Sequence, residues 1–248
     1  MAWEPPLSLE ERLKALVVPG RIDLLYHLWR ERRRGEREIG LVPFLADPTR
    51  LSLDIGANRG IWAEAMRRHS RGVHAFEPNP KIFRMLRRGL GPGVTAHPVA
   101  LSDASGTAEL RVPLGSRGYS NQGASLSREK IGAAAYGSVV VETRRLDELG
   151  LGPVGFIKID VEGFEQAVVE GARETLQRHR PALVIEMEEA HAKRPIAEQI
   201  AAVEAHGYEA FALDRGRLRR VAEIDLAARH AQGVRREDYI FNWIFLPR

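Results

Sequence analysis

The chain of 248 residues contains no cysteine. That absence removes disulfides, thiolate metal sites and cysteine nucleophiles together, so any metal would have to bind through oxygen or nitrogen. No apolar run approaches the roughly 20 residues of a membrane-spanning helix. The opening Met1-Ala-Trp-Glu-Pro-Pro6 lacks the basic and apolar regions of a secretory signal, and a cytoplasmic location is expected. Aromatic residues are sparse at 7%, but 44% hydrophobic and 28% charged residues are the balance of an ordinary globular protein. The length suits one substantial α/β domain with an appended element better than two full enzyme domains.

Net charge is also small, at +4, although the abundance of arginine carries the pI to about 9.6. The densest basic run, Arg30-Glu-Arg-Arg-Arg34 with Arg37 close by, is interleaved with Glu31, Glu36 and Glu38, the pattern of a solvated helix face. The alternative is an anionic partner, either a nucleotide-sugar or phosphorylated substrate, or nucleic acid. A nucleic-acid-binding protein or RNA methyltransferase lacks support elsewhere: there is no Asn-Pro-Pro-Tyr-type motif and no basic strand with paired aromatics.

Residues 1–50 differ from the rest. Leu13, Leu16, Val17, Ile22, Leu24, Leu25, Leu28 and Trp29 recur at helical spacing, broken at Pro19-Gly20, and predict a cap of two short helices. Its apolar faces either cover the core or form a homodimer surface. Over 51–248 short apolar runs (Leu51 to Ile55, Val73 to Phe76, Val94 to Val99, Phe156 to Ile159, Leu183 to Ile185) alternate with helical stretches (Ile61 to His69, Pro80 to Arg88, Phe164 to Arg178). This is the pattern of a doubly wound, mostly parallel sheet. Tyr208 to Leu213 and Tyr239 to Leu246 predict an antiparallel pair closing the sheet edge. Between Leu114 and Gly137 the chain is rich in Gly, Ser and Ala, with Tyr119, Asn121, Gln122 and Tyr136. A connection this long is functional or disordered, and a substrate loop or lid is expected.

Chemistry gathers at the ends of the predicted strands, where open α/β sheets bind ligands. In Asp54-Ile-Gly-Ala-Asn-Arg-Gly60 the glycines are spaced G-x-x-x-G rather than G-x-G-x-x-G, and Asp54 stands beside them. A carboxylate there repels a dinucleotide's pyrophosphate but suits a cation such as S-adenosylmethionine, which disfavours an NAD-dependent oxidoreductase. Gly56, Asn58 and Gly60 form the turn. Glu77 ends the next strand about 20 residues later, where an acid accepts hydrogen bonds from ribose hydroxyls. Ser102 and Asp103 follow the third strand, where Asp103 accepts from an adenine amino group or merely forms an Asx turn. The fourth strand runs into Lys158-Ile-Asp160-Val-Glu162, three ionisable groups in five residues. Glu186 and His191 follow the fifth.

These residues resemble the FkbM-type methyltransferases, S-adenosylmethionine-dependent O-methyltransferases associated with polysaccharide, glycolipid and polyketide biosynthesis. Six ordered motifs carry the resemblance, from Leu51 to the C-terminus: Asp54-Ile-Gly-Ala-Asn58 with Gly60, Phe76-Glu-Pro78, Ala100-Leu-Ser-Asp103, Arg145-Leu-Asp-Glu-Leu149, Ile157-Lys-Ile-Asp-Val-Glu-Gly163 and Phe241-Asn-Trp-Ile-Phe-Leu-Pro247. The resemblance implies a class I methyltransferase fold, a seven-stranded sheet whose last strand is inserted antiparallel. It also implies that the Asp54 to Gly60 turn holds the methionine part of the cofactor, Glu77 the ribose and Asp103 the adenine end.

Methyl transfer to a sugar or glycan hydroxyl requires positioning and a group to take the hydroxyl proton. Asp160 is the first candidate for that base, with Lys158, Glu162, Glu186 and His191 as supporting or replacement candidates. The competing mechanism has Asp160 and Glu186 bind Mg²⁺, which would acidify a chelated diol.

Overall fold

Runs rich in valine, isoleucine and phenylalanine build the strands of a central sheet, and the small or polar residues that end them turn the chain back across its faces. The computed structural model describes residues 3–115, 118–119, 124–126, 135–230, 234–235 and 238–248. The strands are β1 (Leu51–Ile55), β2 (Gly72–Phe76), β3 (Val94–His97), β4 (Ala100–Leu101), β5 (Gly106–Gly115), β6 (Gly118–Tyr119), β7 (Tyr136–Arg144), β8 (Val154–Ile159), β9 (Ala182–Glu186), β10 (Tyr208–Asp214), β11 (Arg217–Arg220) and β12 (Asn242–Pro247). The main sheet has the order β3-β2-β1-β8-β9-β12-β10-β11. From β3 to β9 every pairing is parallel, and β12 runs antiparallel to both β9 and β10.

This sheet has eight strands, one more than the resemblance implies. The extra strand is β11, which folds back on β10 as a hairpin. The expected C-terminal pair does form, but β12 lies inside the sheet and β11 takes the edge. Burial explains the exchange. Trp243, Ile244 and Phe245 are fully buried and need a strand on each side, whereas Arg217-Leu-Arg-Arg220 is exposed throughout and tolerates a wet edge. The third strand stops at His97 rather than Val99, since Pro98 cannot donate to the ladder.

Alternation along the strands divides the core between the two faces. Leu53, Ile157, Leu183 and Trp243 pack on one side with Val168, Leu176 and Ile200, while Val73, Phe156, Val184 and Ile244 pack on the other with Leu28, Trp62 and Leu86. The helices are α1 (Leu9–Val17), α2 (Gly20–Arg34), α3 (Val42–Leu45), α4 (Ile61–Met66), α5 (Pro80–Gly89), α6 (Glu165–Gly171), α7 (Arg173–His179), α8 (Glu189–Ala192), α9 (Ile196–Glu204) and α10 (Leu226–Arg229). The single helix expected from Phe164 to Arg178 is broken at Ala172. There the Asp147 carboxylate accepts from Glu174 N, Thr175 N and Thr175 Oγ, so it caps a second helix start.

At the N-terminus, Ser8 and Glu11 form a capping box at the start of α1. Helix α2 lies on α4 and α5: Leu24 and Leu28 are buried, and Arg21 donates to both oxygens of Glu64 at 2.6 Å. Leu13, Leu16, Val17, Ile22, Leu25 and Trp29, the expected dimer surface, are exposed. A second sheet, β4-β7-β5-β6, comes from a long hairpin that the sequence patterning did not reveal. The expected lid at 114–137 is the far end of this hairpin. Its residues 116–117, 120–123 and 127–134, Asn121 and Gln122 among them, lie outside the described residues.

Helix α6 approaches the turn after β4 so closely that a Cβ on Gly171 would lie 1.9 Å from the Ser102 carbonyl oxygen. Gly171→Ala is therefore expected to destabilise the fold by about 1–3 kcal/mol. Each kcal/mol corresponds to roughly 2–4 °C in thermal midpoint for a domain of this size. An unchanged midpoint by scanning calorimetry would show that the approach is not a constraint.

Candidate active site

The carboxyl ends of β1, β2 and β8 meet around one turn. Gly56, Asn58 and Gly60 have φ of 81°, 47° and 87°, so the chain after β1 follows a left-handed path that favours glycine and asparagine. A Cβ on Gly56 would stand 1.8 Å from the Asp160 carbonyl oxygen, which brings the β1 and β8 ends into backbone contact. Asp54 is buried and its Oδ2 accepts from Ala63 N at 2.8 Å, within the first turn of α4. Glu77 joins two turns: Oε2 accepts from Asn58 N at 2.9 Å and Oε1 from Asn79 N at 2.8 Å. Asn79 in turn caps α5. Burial pushes Asp54 and Glu77 up to about 7, against the backbone N–H groups that favour their charged forms. Glu165, buried with Oε1 on Gly163 N, is likewise raised to about 7 by burial.

Beside this turn lies a buried ammonium. Lys158 is 1% exposed, sits opposite Asp54 in the sheet register, and donates from Nζ to Asn242 Oδ1 at 2.7 Å. Glu36 Oε2 lies 3.7 Å and Glu186 Oε2 3.9 Å from Nζ, and the Trp62 ring centroid 5.2 Å away. Glu36 Oε2 also accepts from Trp62 Nε1 at 3.1 Å and Asn242 Nδ2 at 3.0 Å. Burial alone would lower the Lys158 pKa, but the carboxylates of Glu36, Asp160, Glu186 and Asp54 raise it. Lys158 therefore stays protonated, and as a charge anchor it cannot serve as the replacement base the sequence suggested. The Glu186 carboxyl is pushed up by burial and by Asp160, against the pull of Lys158.

The predicted residues divide into two groups. Asp54, Gly56, Asn58, Lys158, Asp160, Glu162 and Glu186 all line one open cleft of about 1380 Å³, together with Glu36, Trp62 and Asn242. A narrower apolar pocket opens from its floor, lined by Phe76, Glu77, Pro78, Val99, Ala100, Leu101, Leu110 and Phe164, and shares Gly56, Asn58, Asp160 and Glu162 with it. Gly60 shapes the turn but lines neither. Ser102 and Asp103 also stand apart, since Ser102 Oγ donates to Asp103 Oδ1 at 2.9 Å and the Asp103 side chain is exposed. The pocket wall is made by Val99 to Leu101 instead. His191 lines neither space; its Nδ1 lies 3.3 Å from Glu162 Oε2 and 3.6 Å from Glu188 Oε1, so it reaches the cleft through these two lining carboxylates.

The donor set does not fit Mg²⁺. Among the described residues no three His, Asp or Glu side chains gather as a metal cluster, and the Lys158 ammonium, 3.9 Å from Glu186, puts a cation where the ion's charge would fall. The arginines of the run are exposed, as expected of a solvated face, and the segment from Arg30 to Arg37 also lines the cleft. Glu36, Trp62 and Asn242 carried no functional assignment from sequence. Asn242 was the most readable of them, a lone amide heading the aromatic strand Asn-Trp-Ile-Phe-Leu.

The chain was compared with known proteins. The Methyltransferase FkbM domain matches residues 54–210. The chain is similar to the 2-O-methyltransferase NoeI of Sinorhizobium fredii, at 32% identity over 159 residues, covering 56% of this chain and 64% of that protein. It thus spans less than two thirds of that relative's length. Among solved structures it resembles the methyltransferase FkbM from Methylobacillus flagellatus, with a TM-score of 0.50 and 15% identity over 92% of this chain and 55% of the other, a likeness of fold.

The raised carboxyl of Glu77 leads to a pH-dependent outcome. An acid whose pKa is higher folded than unfolded favours the folded state at low pH, and that contribution is lost as pH rises toward about 7. The stability of Glu77→Gln relative to the parent chain should therefore increase between pH 5 and pH 7 and level off above. The slope is at most about 1.4 kcal/mol per unit. Urea denaturation at several pH values measures it, and a difference that stays constant with pH would refute the assignment.

Proposed function

The chain belongs to the FkbM methyltransferase family, S-adenosylmethionine-dependent enzymes on a class I fold, and from that premise we propose that it methylates a hydroxyl of a sugar, glycan or glycosylated metabolite. One observation carries this reading: a narrow, partly apolar pocket and a wide polar cleft meet at Gly56, Asn58, Asp160 and Glu162. Two ligands held in the two spaces would touch there. The cleft exceeds the roughly 300–1,000 Å³ of a typical small-molecule site, which leaves room for a sizeable acceptor. The printed activity of the Sinorhizobium relative, 2-O-methylation, supports oxygen as the accepting atom.

The pocket suits an adenosyl ligand. Each oxygen of Glu77 already accepts one backbone N–H and has capacity for a further donor, the arrangement that receives a pair of ribose hydroxyls. The apolar wall from Val99 to Leu101, with Phe164, suits a flat base. When bound, S-adenosylmethionine supplies an electrophilic methyl group on a sulfonium.

The protein's own part is positioning and proton handling. The left-handed turn Gly56 to Gly60 keeps Cβ atoms out of the junction, and Asp54 offers a carboxylate to a nearby positive charge. Asp160, at the junction, takes the proton of the acceptor hydroxyl. Glu186, its pKa raised by burial, donates a hydrogen bond to the acceptor rather than competing for its proton. Lys158 stays charged, and through Asn242 and Glu36 it fixes the wall against which the acceptor is aligned.

Calorimetric titration should detect S-adenosylmethionine binding that weakens as pH falls from 8 to 6, because Asp54 and Glu77 take up protons near 7. Absence of binding would remove the proposal's basis. Asp160→Asn should lower kcat by roughly 10²–10⁴-fold and leave cofactor affinity within about threefold. Chelators should leave activity unchanged, and loss restored by Mg²⁺ would reinstate the metal mechanism.

A further inference from the structure

We propose that the acceptor carries a phosphate or diphosphate group, held by arginines on the outer rim of the cleft. This rests on the methyltransferase reading for the identity of the bound molecule as an acceptor, but the anion site itself does not. Arg32 and Arg34 from the end of α2, Arg37 just beyond it and Arg215 from the turn between β10 and β11 line the cleft from two sides. Among the described residues none of these four has a carboxylate within ion-pairing distance, although Arg37 and Arg215 are close enough to influence Glu38 and Asp238.

Three of the acids that line the same cleft are already engaged. Asp214 pairs with Arg219 at 3.3 Å and Arg229 at 3.0 Å, Asp238 pairs with Arg229 and Arg235, and Glu31 Oε1 accepts from Glu36 N. The cleft therefore combines paired acids with guanidinium groups that have no carboxylate partner among the described residues. Arginine's planar fork binds phosphate oxygens two at a time, which an isolated ammonium cannot do.

Favourable interaction with the helix dipole accounts for arginine in the last turn of α2. It does not account for Arg215. The turn Asp214-Arg215-Gly216-Arg217 places Arg215 at φ 50° and Gly216 at φ 78°, a two-residue hairpin connection of the kind that favours Asn-Gly. A long side chain at its first left-handed position opposes the backbone preference, and it adds a cation to the cleft that Arg34 and Arg37 also line. A surface hairpin with no ligand to meet has no need of that choice.

The test uses the full chain with inorganic pyrophosphate, uridine diphosphate and, as a neutral control, glucose, by titration calorimetry at low salt. Both anions should bind more tightly than glucose, and more weakly as salt rises. The double variant Arg34→Gln/Arg37→Gln and the single variant Arg215→Gly should each lose roughly tenfold in anion affinity, with S-adenosylmethionine affinity unchanged. Glycine suits the left-handed position, so Arg215→Gly should fold at least as well as the parent. Stronger binding of uridine diphosphate than of pyrophosphate would indicate a nucleotide-activated sugar, and equal binding a phosphorylated glycan; either supports the site. No anion binding, or variants that bind as the parent does, would overturn it. So would a single-stranded RNA bound far more tightly than uridine diphosphate with a steep salt dependence, which would mark a polyanion surface instead. Anion binding without S-adenosylmethionine binding would sink the methyltransferase reading and leave this one standing.

Discussion

A single ammonium group buried in the sheet is the constraint from which the site's chemistry follows. Lys158 lies on a strand covered on both faces, where an uncompensated charge is very costly and removing a partner from a buried pair costs about 3–5 kcal/mol. Its compensation comes from three separate places: an amide at the head of β12, a carboxylate from the segment after α2, and a carboxyl at the end of β9. The π face of Trp62 supplies further electrostatic support. Satisfying one lysine thus fixes the relative positions of most groups on the cleft wall. It also separates the carboxyls, because burial and the nearby Asp160 push the Glu186 pKa up while Lys158 pulls it down.

Topology makes this convergence achievable. Ligands of an open parallel sheet meet the carboxyl ends of its strands, so each parallel strand can offer only its last residues to the site. Strand β12 runs the other way and presents its first residue at that edge. Asn242 therefore stands in register with Glu186, the last residue of β9. The left-handed residues at Gly56, Asn58 and Gly60, and again at Glu162 and Gly163, mark where the β1 and β8 turns were shaped for close backbone approach rather than for conformational ease.

The parallel half of the fold was legible because each of its strands is a short, uninterrupted apolar run closed by a turn residue. Asp54, Glu77 and Asp160 were legible for the same reason, as carboxylates at strand ends. Ser102 and Asp103 had the same signature but lie just beyond the pocket lining: Pro98 interrupts the strand before them, and the wall is made by the apolar residues just upstream. The β5–β7 hairpin escaped notice because its strands alternate polar and apolar residues beside a glycine-rich stretch. Glu36 was hidden by its neighbours. Within Arg-Arg-Gly-Glu-Arg-Glu it looks like one more surface charge, and only the fold reveals that its carboxylate meets Trp62, Asn242 and Lys158. A charge run states how much charge a segment carries, not which member meets a buried partner.

The bond between Glu36 and Asn242 joins residues 206 positions apart in sequence. Contacts of such separation close late, after the intervening elements have found their places. A ribosome-bound chain lacking its last strand can pair β1, β2, β8 and β9, yet Lys158 would then have no amide to meet and Glu36 nothing to fasten it. Assembly of the cleft wall must therefore await the emergence of β12, so a chain that stops short of it carries the turn after β1 without a finished wall beside it.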